Sequence, residues 1–359
     1  MFVMSRSTKW SKVMLTDACL EHILQRIPHL AIGVLGDLFL DRYLDIDAAL
    51  TEPSIETGLD AYQVVRVRAS PGAAGTVINN LVALGVNRVC ALSVIGDDGE
   101  GYELRQALAN LGSVDFQHVV AAPGRRTPTY TKPMLHENGK TPRELNRLDI
   151  KNRSVLPGAM EDRVIEAISD VWSQVDALLV MDQVSEENCG VVTARVRDYL
   201  AGAADRQREK FILADSRERI RLFRSVSIKP NQHECGQLLG TSTLSDGLEA
   251  LAGAVRSLAL QRRRAVFCTM GERGMLVGAP EDRSSHVPAY PVSGPIDIVG
   301  AGDSTSAAIG CAMAAGVTLE EAAAFGNRVA SITIQQIGTT GTATPEQVRQ
   351  RWREVRGAQ

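Results

Sequence analysis

The chain is poor in aromatic residues, which make up 4% of its 359 positions. That scarcity argues against the stacked aromatic platforms that hold single-stranded nucleic acid. No excess of positive charge is present either: 39 Lys and Arg stand against 42 Asp and Glu, a net charge of −3. Neither nucleic acid nor an anionic membrane is therefore expected as a partner. The six cysteines (Cys19, Cys90, Cys189, Cys235, Cys268 and Cys311) form no closely spaced pair. Cys-x-x-Cys and His-x-x-x-His spacings are absent, which argues against a zinc site. A chain this long can bury a core without disulfides, so reduced thiols and a cytoplasmic setting are expected. Long hydrophobic runs are missing as well. Leu30–Leu40 is short and contains Gly33, Gly36 and Asp37, so it cannot span a bilayer. Met1–Lys12 lacks the apolar centre of a signal peptide.

What remains is a hydrophobic content of 44% with 23% charged residues, the balance of a soluble globular protein. Residues 1–28 read as an N-terminal extension, with a helix capped by Thr16 or Asp17 running to Gln25. Its Leu20, Ile23, Leu24 and Ile27 share one face. The main domain, residues 29–359, opens with the buried-strand run Ala31–Asp37. A helix over Gly72–Leu84 and a strand over Arg88–Ile95 follow, then a helix over Tyr102–Leu111 and a strand over Asp115–Val120. From Glu161 onward, helices alternate with apolar strands at Ala177–Met181, Phe211–Ala214, Ser227–Lys229 and Ala265–Cys268. Such alternation predicts a mostly parallel central sheet with helices on both faces. Two polar, strand-like excursions, residues 42–70 and 125–150, are expected to form a small β lid.

One heptapeptide, Asp297-Ile-Val-Gly-Ala-Gly-Asp303, stands before the small, apolar stretch Ser304–Gly316. A Gly-Ala-Gly turn that opens a helix leaves backbone N–H groups unpaired, and the helix dipole adds to their partial positive charge. Gly300, Ala301 and Gly302 thus make a seat for an anion. The carboxylate of Asp303 on its rim is poorly suited to holding phosphate. It suits the removal of a proton from a hydroxyl that attacks phosphorus.

Several further signals fall in one order. Gly36-Asp37 ends the first strand, Pro71-Gly-Ala-Ala-Gly75 precedes Asn80, and Gly96-Asp97-Asp98 follows the next strand. Lys229-Pro-Asn-Gln-His-Glu234, Thr269-Met-Gly-Glu-Arg-Gly274 and Gly300-Ala-Gly-Asp303 complete the set. In this order the chain resembles the ribokinase-like (PfkB) carbohydrate kinases over roughly residues 30–348. The resemblance implies the ribokinase-like fold, ATP as donor and Mg²⁺ as its counter-ion. It implies Asp303 as base and the N–H groups of Gly300, Ala301 and Gly302 as anion hole. Asn231 and Glu234 would reach the Mg²⁺ through water, although the pair also reads as a helix capping box. Thr269, Gly271 and Gly274 would lie under ribose and phosphates, with Asn327 near the adenine. Asp37 is the expected sugar ligand, with Asp41, Gly72, Ala73 and Asn80 shaping that pocket. Ala73 and Thr76 depart from the family's usual Gly-Gly and Asn, as Ile298 and Val299 depart from the usual Thr or Ser.

The segment Gly36-Asp-Leu-Phe-Leu-Asp-Arg-Tyr43 is similar to the opening of kinase domains that phosphorylate heptose 7-phosphate in ADP-heptose synthesis. A phosphorylated acceptor needs cations away from the reacting hydroxyl, and Arg126, Lys132 and Arg147 are expected to supply them. The bifunctional form of that subgroup carries a nucleotidyltransferase domain with a His motif, which these residues do not show, so adenylylation is expected from another protein. D-glycero-D-manno-heptose 7-phosphate is the favoured acceptor. Ribose, fructose phosphate and nucleosides stay open, as does a weakly catalytic regulator that only binds sugar or nucleotide. The lid is also expected to pair two subunits.

Overall fold

Ala31–Gly36 lies inside the main sheet, with all but its first residue buried. Its neighbours, Ala177–Asp182 on one side and Arg88–Gly96 on the other, both run parallel to it. A strand hidden on two sides carries an unbroken apolar run where a one-sided strand would alternate. In the computed structural model, which describes residues 15–238, 247–338 and 340–357, these strands belong to a nine-stranded sheet. Beyond Ala177–Asp182 come Phe211–Ser216, Ser227–Ile228, Val266–Thr269, Met275–Ala279 and Arg283–Val287, and beyond Arg88–Gly96 comes Val114–Ala122. All pairings are parallel until Val266–Thr269; the last two strands are antiparallel, a hairpin that the sequence pattern had not separated.

Successive side chains of a strand point to opposite faces, and the core divides accordingly. Leu179 and Met181 join one apolar cluster with helices Ala74–Ala83, Ala301–Ala314 and Leu319–Thr333. Leu178 and Val180 join another with helices Gly158–Trp172, Ala194–Arg206 and Gly247–Arg262. Helices therefore cover both faces, as expected. Helix Asp17–Arg26 starts where the capping rule places it, with the Thr16 hydroxyl accepting from the Cys19 N–H at 3.1 Å. Leu20, Ile23, Leu24 and Ile27 lie in the first core cluster, so this part of the extension is packed into the main body.

The two polar excursions do form a second sheet. Leu38–Asp47 pairs antiparallel with Val64–Ala73 and parallel with Thr129–His136, which in turn pairs with Leu148–Ile150 and Arg143–Glu144. The glycine-rich turn departs from expectation by two residues: Gly72 and Ala73 stay in the strand, and the helix begins at Ala74. Ala73 makes that junction with φ 54° and ψ −118°, a conformation that glycine adopts freely and alanine does not. Strain of this kind costs about 1–3 kcal/mol. Ala73→Gly is therefore expected to raise the thermal unfolding midpoint by about 1–3 °C. A scanning-calorimetry midpoint below that of the parent would contradict the assignment.

Candidate active site

Open parallel sheets bind ligands beyond the carboxyl ends of their strands, and the predicted residues gather there. Helix Ala301–Ala314 points its N-terminus at this edge. Gly300 turns into it with φ 78°, and a Cβ at Gly300 would stand 2.4 Å from Thr340 Cγ2. The Ala301 N–H closes that turn by donating to the Ile298 carbonyl at 3.1 Å. Ala301 is thus withdrawn from the expected trio of anion donors. The N–H groups of Gly302 and Asp303 have no protein partner among the described residues, and they keep the helix N-terminus open to an anion.

The Asp303 carboxyl is pushed up to about 7, chiefly by burial and then by the negative charge of Asp215. Lys229 and Arg217 act in the opposite direction. Lys229 is buried, and its Nζ lies 2.8 Å from Asp215 Oδ2. The same ammonium stands 3.5 Å from where a Cβ on Gly302 would be, directly beside the open helix end. Strand pairing explains the placement. Leu213 and Ala214 lie opposite Ser227 and Ile228, and the Lys229 N–H donates to the Ala214 carbonyl at 3.0 Å. Asp215 and Lys229 therefore emerge side by side from adjacent strand ends. Neither they nor Arg217 were assigned roles from the sequence, although the strand-end rule that singled out Asp37 applies equally to Asp215.

Next to this pair, Asn231 and Glu234 form a complete capping box. Asn231 Oδ1 accepts from the N–H groups of His233 and Glu234, both at 2.9 Å, while Glu234 Oε2 accepts from the Asn231 N–H at 2.7 Å. Burial raises the Glu234 carboxyl, and Asp215 adds to the shift. The Asn231 oxygen is thereby spent, whereas Glu234 Oε1 has no hydrogen-bond partner among the described residues. A magnesium ion that arrives with nucleotide phosphates keeps most of its waters and needs only one or two carboxylates. Glu234 fits that requirement; Asn231 serves the helix start.

On the acceptor side the structure redistributes several roles. Asp37 does not face a sugar pocket with free oxygens. Its carboxylate accepts from the N–H groups of Gln183 at 2.9 Å, Val184 at 3.1 Å and Val191 at 2.6 Å. Three of its roughly four acceptor sites are thus used to hold the loop after Ala177–Asp182. Burial, with Asp182 nearby, moves the carboxyl up to about 6. Asp41 is the carboxylate within electrostatic reach of Asp303. Burial raises its pKa, and Lys132, whose Nζ is 3.5 Å away, opposes the rise. Gly72 has no alternative, since a Cβ there would lie 2.8 Å from the Asp41 carboxylate.

The three expected cations behave differently. Lys132 also donates to the Tyr43 hydroxyl at 3.1 Å and lies over its ring. Arg147 is held by both oxygens of Asp149, at 2.7 and 2.9 Å, and stacks 4.1 Å from the Tyr130 ring centre. Arg126 is ion-paired with Asp98 at 3.4 Å and Glu100 at 3.2 Å and, unlike Lys132 and Arg147, is not among the charges that act on the Asp41 carboxyl. Asn80 is corrected as well. It is fully buried and donates to the Thr76 carbonyl at 2.9 Å, whereas Asn79 lines a cavity of about 120 Å³ with Asp41, Tyr43 and Arg68. One step along helix Ala74–Ala83 turns the side chain by about 100°, so Asn80 faces the interior while Asn79 faces the cavity.

The residues expected on the nucleotide side stand around one cavity. It measures about 720 Å³, is lined by Thr269, Gly271, Gly274 and Asn327, and reaches Ala301 and Gly302. Gly274, at φ 87°, tolerates no side chain, since a Cβ would meet the Val287 carbonyl oxygen at 2.2 Å. Asn327 Nδ2 donates to the carbonyls of Val287 and Pro288, both at 3.1 Å, and fixes the wall.

Comparison with known proteins agrees with this fold. The model of the pfkB family of carbohydrate kinases matches residues 40–347. The bifunctional protein HldE of Trichlorobacter lovleyi is 29% identical over 329 residues, or 91% of this chain and 64% of that protein. HldE of Geobacter metallireducens is 28% identical over 316 residues, 88% of this chain and 61% of that protein. The chain thus spans less than two thirds of the length of these curated relatives. Phosphofructokinase-2 of Escherichia coli, solved with potassium, superposes with a TM-score of 0.67 at 19% identity, covering 91% of this chain and 99% of that one. Ribokinase of Arabidopsis thaliana, solved with ribose and ATP, gives 0.63 at 16% identity, covering 90% and 98%. The fold is ribokinase-like.

The reassignment of Asp37 is testable through stability. Asp37→Ala strands three backbone N–H groups and should lower the unfolding free energy by about 3 kcal/mol or more. Asp41→Ala, which removes a carboxylate raised by burial, should stay within about 1 kcal/mol of the parent. Denaturant melts at pH 8 decide it; similar losses in both variants would contradict the structural role of Asp37.

Proposed function

Since the chain belongs to the pfkB family of carbohydrate kinases, we propose that it transfers the γ-phosphoryl group of ATP to a hydroxyl of an already phosphorylated sugar. D-glycero-D-manno-heptose 7-phosphate is the acceptor that the chain fits best. The observation that carries this reading is the position of Asp303, beside Lys229 and Gly302 where the nucleotide cavity ends, and within electrostatic reach of Asp41. The similarity of Gly36–Tyr43 to heptose 7-phosphate kinase domains supports the choice of acceptor, as do Lys132 and Arg147 beside Asp41.

In this mechanism the acceptor hydroxyl gives its proton to the Asp303 carboxylate as its oxygen forms the new bond to the γ-phosphorus. The bond to the β–γ bridging oxygen breaks, and ADP leaves with that oxygen. A base whose pKa stands near 7 is matched to this proton transfer. Negative charge on the transferring group faces the Gly302 and Asp303 N–H groups and the Lys229 ammonium. Asp215 keeps Lys229 charged and fixed in place. Magnesium, when bound with the nucleotide, neutralises phosphate charge, and Glu234 would hold it through water. Asp41 would accept hydrogen bonds from acceptor hydroxyls, while Lys132 and Arg147 receive the remote phosphate.

Two features bear on its setting. No helix among the described residues is long and apolar enough to cross a membrane, and all six cysteines are free thiols, which supports a cytoplasmic location. The outward side chains of Val64, Val65 and Val67 on the lid support pairing of two subunits there.

The test is ATP turnover with Mg²⁺ against heptose 7-phosphate, unphosphorylated heptose, fructose phosphate and ribose. Heptose 7-phosphate should be favoured over the unphosphorylated sugar by about 100-fold in kcat/KM, the size of a lost charged contact. Turnover confined to unphosphorylated sugars would discard the assigned acceptor. Asp303→Asn should lower kcat by about 1,000-fold or more while ATP still binds. Near-normal turnover in that variant would overturn the mechanism.

A further inference from the structure

Arg328 is fully buried, and among the described residues its three guanidinium nitrogens make no regular hydrogen bond. Burial opposes its charge most, the polar group that favours the charge is Tyr290, and the charge of Arg351 opposes it too. Arginine is rarely buried without a carboxylate, because desolvating the charge costs several kcal/mol. What surrounds it is aromatic. The guanidinium carbon stands 3.7 Å from the centre of the Tyr290 ring and 4.5 Å from that of Trp352. A planar cation between two ring faces gains from both quadrupoles, and a flexible ammonium could not fill the same slot.

The two rings belong to different parts of the molecule. Tyr290 lines the 720 Å³ nucleotide cavity, whereas Trp352 sits on helix Pro345–Gly357 near the end of the chain. A second tie runs alongside. Arg351, one residue before Trp352, donates to the Pro291 carbonyl and, at 3.3 Å, to the Ser331 hydroxyl. Pro291 and Ser331 line the same cavity. Ser331 donates to the Arg328 carbonyl at 2.7 Å, which joins the two ties. From its other side, the terminal helix is held to helix Asp17–Arg26 through Trp352 and Asp17, and through Arg349 and Glu21 at 3.0 Å.

We propose that Arg328 is a positioning residue for the nucleotide: stacked between Tyr290 and Trp352, it fixes the Tyr290 wall of the cavity against the terminal helix. The proposal rests on the reading of that cavity as the ATP site. No nucleotide atom need touch Arg328; the ring it backs does the contacting. Because the guanidinium has no carboxylate to strand, its removal does not leave an unpaired buried anion behind. Loss of nucleotide affinity and loss of stability are therefore separable here.

The experiment compares Arg328→Met, Arg328→Lys and Trp352→Phe in steady-state turnover, with thermal midpoints recorded alongside. Arg328→Met and Arg328→Lys should raise the KM for ATP by about tenfold, the effect of losing a desolvated cation–π stack. The acceptor KM and kcat should stay within about twofold in both, and the melting midpoint should move little in Arg328→Met; Arg328→Lys, which buries an unpaired ammonium, should melt lower. Trp352→Phe keeps an aromatic face and should hold the ATP KM near that of the parent. Ala330→Phe, which fills the cavity directly, serves as the reference variant. If Ala330→Phe abolishes ATP binding while both Arg328 variants keep the parental ATP KM, the positioning role is wrong. If Ala330→Phe binds ATP normally, the assignment of the cavity fails instead. A drop in midpoint with unchanged kinetic constants in the Arg328 variants would make the stack a structural element only.

Discussion

The ion pair between Asp215 and Lys229 is the constraint on which the rest of the site depends. Two opposite charges taken out of water are tolerable only when closely matched, and 2.8 Å between Nζ and Oδ2 meets that condition. The pair can form only because two neighbouring parallel strands end together, with Ala214 opposite Ile228. Its consequence reaches the chemistry. Lys229 draws the Asp303 carboxyl down while Asp215 and burial push it up, and the balance leaves a base near neutrality. The lysine also brings a fixed positive charge to the open end of the Ala301–Ala314 helix, where two backbone N–H groups already point.

Around that centre the carboxylates divide their labour by environment. Asp37 is enclosed by three N–H donors and organises the loop after the central strand. Asp182 does comparable work nearby, receiving Arg219 at 2.7 Å and the Ser216 hydroxyl at 2.7 Å. Asp41, on the lid strand Leu38–Asp47, faces Lys132 at 3.5 Å with Arg147 further off, and under the proposed function its acceptor capacity serves a substrate. Asp37 and Asp182 thus hold loops at the edge of the main sheet, while Asp215 there and Asp41 on the lid face the proposed site. Gly72 belongs to the same arrangement, since any side chain there would displace Asp41.

Much of this was legible in the sequence wherever the backbone itself makes the demand. Gly300, Gly271 and Gly274 all adopt positive φ in tight turns, and no other residue type serves those turns as cheaply. The buried first strand and the alternation of helices and strands likewise follow from hydrophobic patterning. What was not legible depended on partners distant in sequence. Asp215 and Lys229 lie on separate strands, and their meeting requires the strand order, which local pattern does not contain. Arg126 looked available because nothing local reveals Asp98 and Glu100 beside it. Asn80 was expected in the acceptor pocket, but which face of helix Ala74–Ala83 meets the core is set by packing partners distant in sequence, and one step along a helix changes the face by about 100°. The strained Ala73 marks the start of that helix.

The most direct test of this account is the titration of the Asp303 carboxyl itself, followed by carbon-detected NMR on carboxyl-labelled enzyme without nucleotide. Asp303→Asn identifies the resonance. The account predicts a midpoint near 7 in the parent, moving upward in Lys229→Met, because the cation that favours the ionised form is gone. A midpoint near the ordinary value of about 4, insensitive to Lys229, would contradict the central claim that the buried Asp215–Lys229 pair tunes the catalytic base.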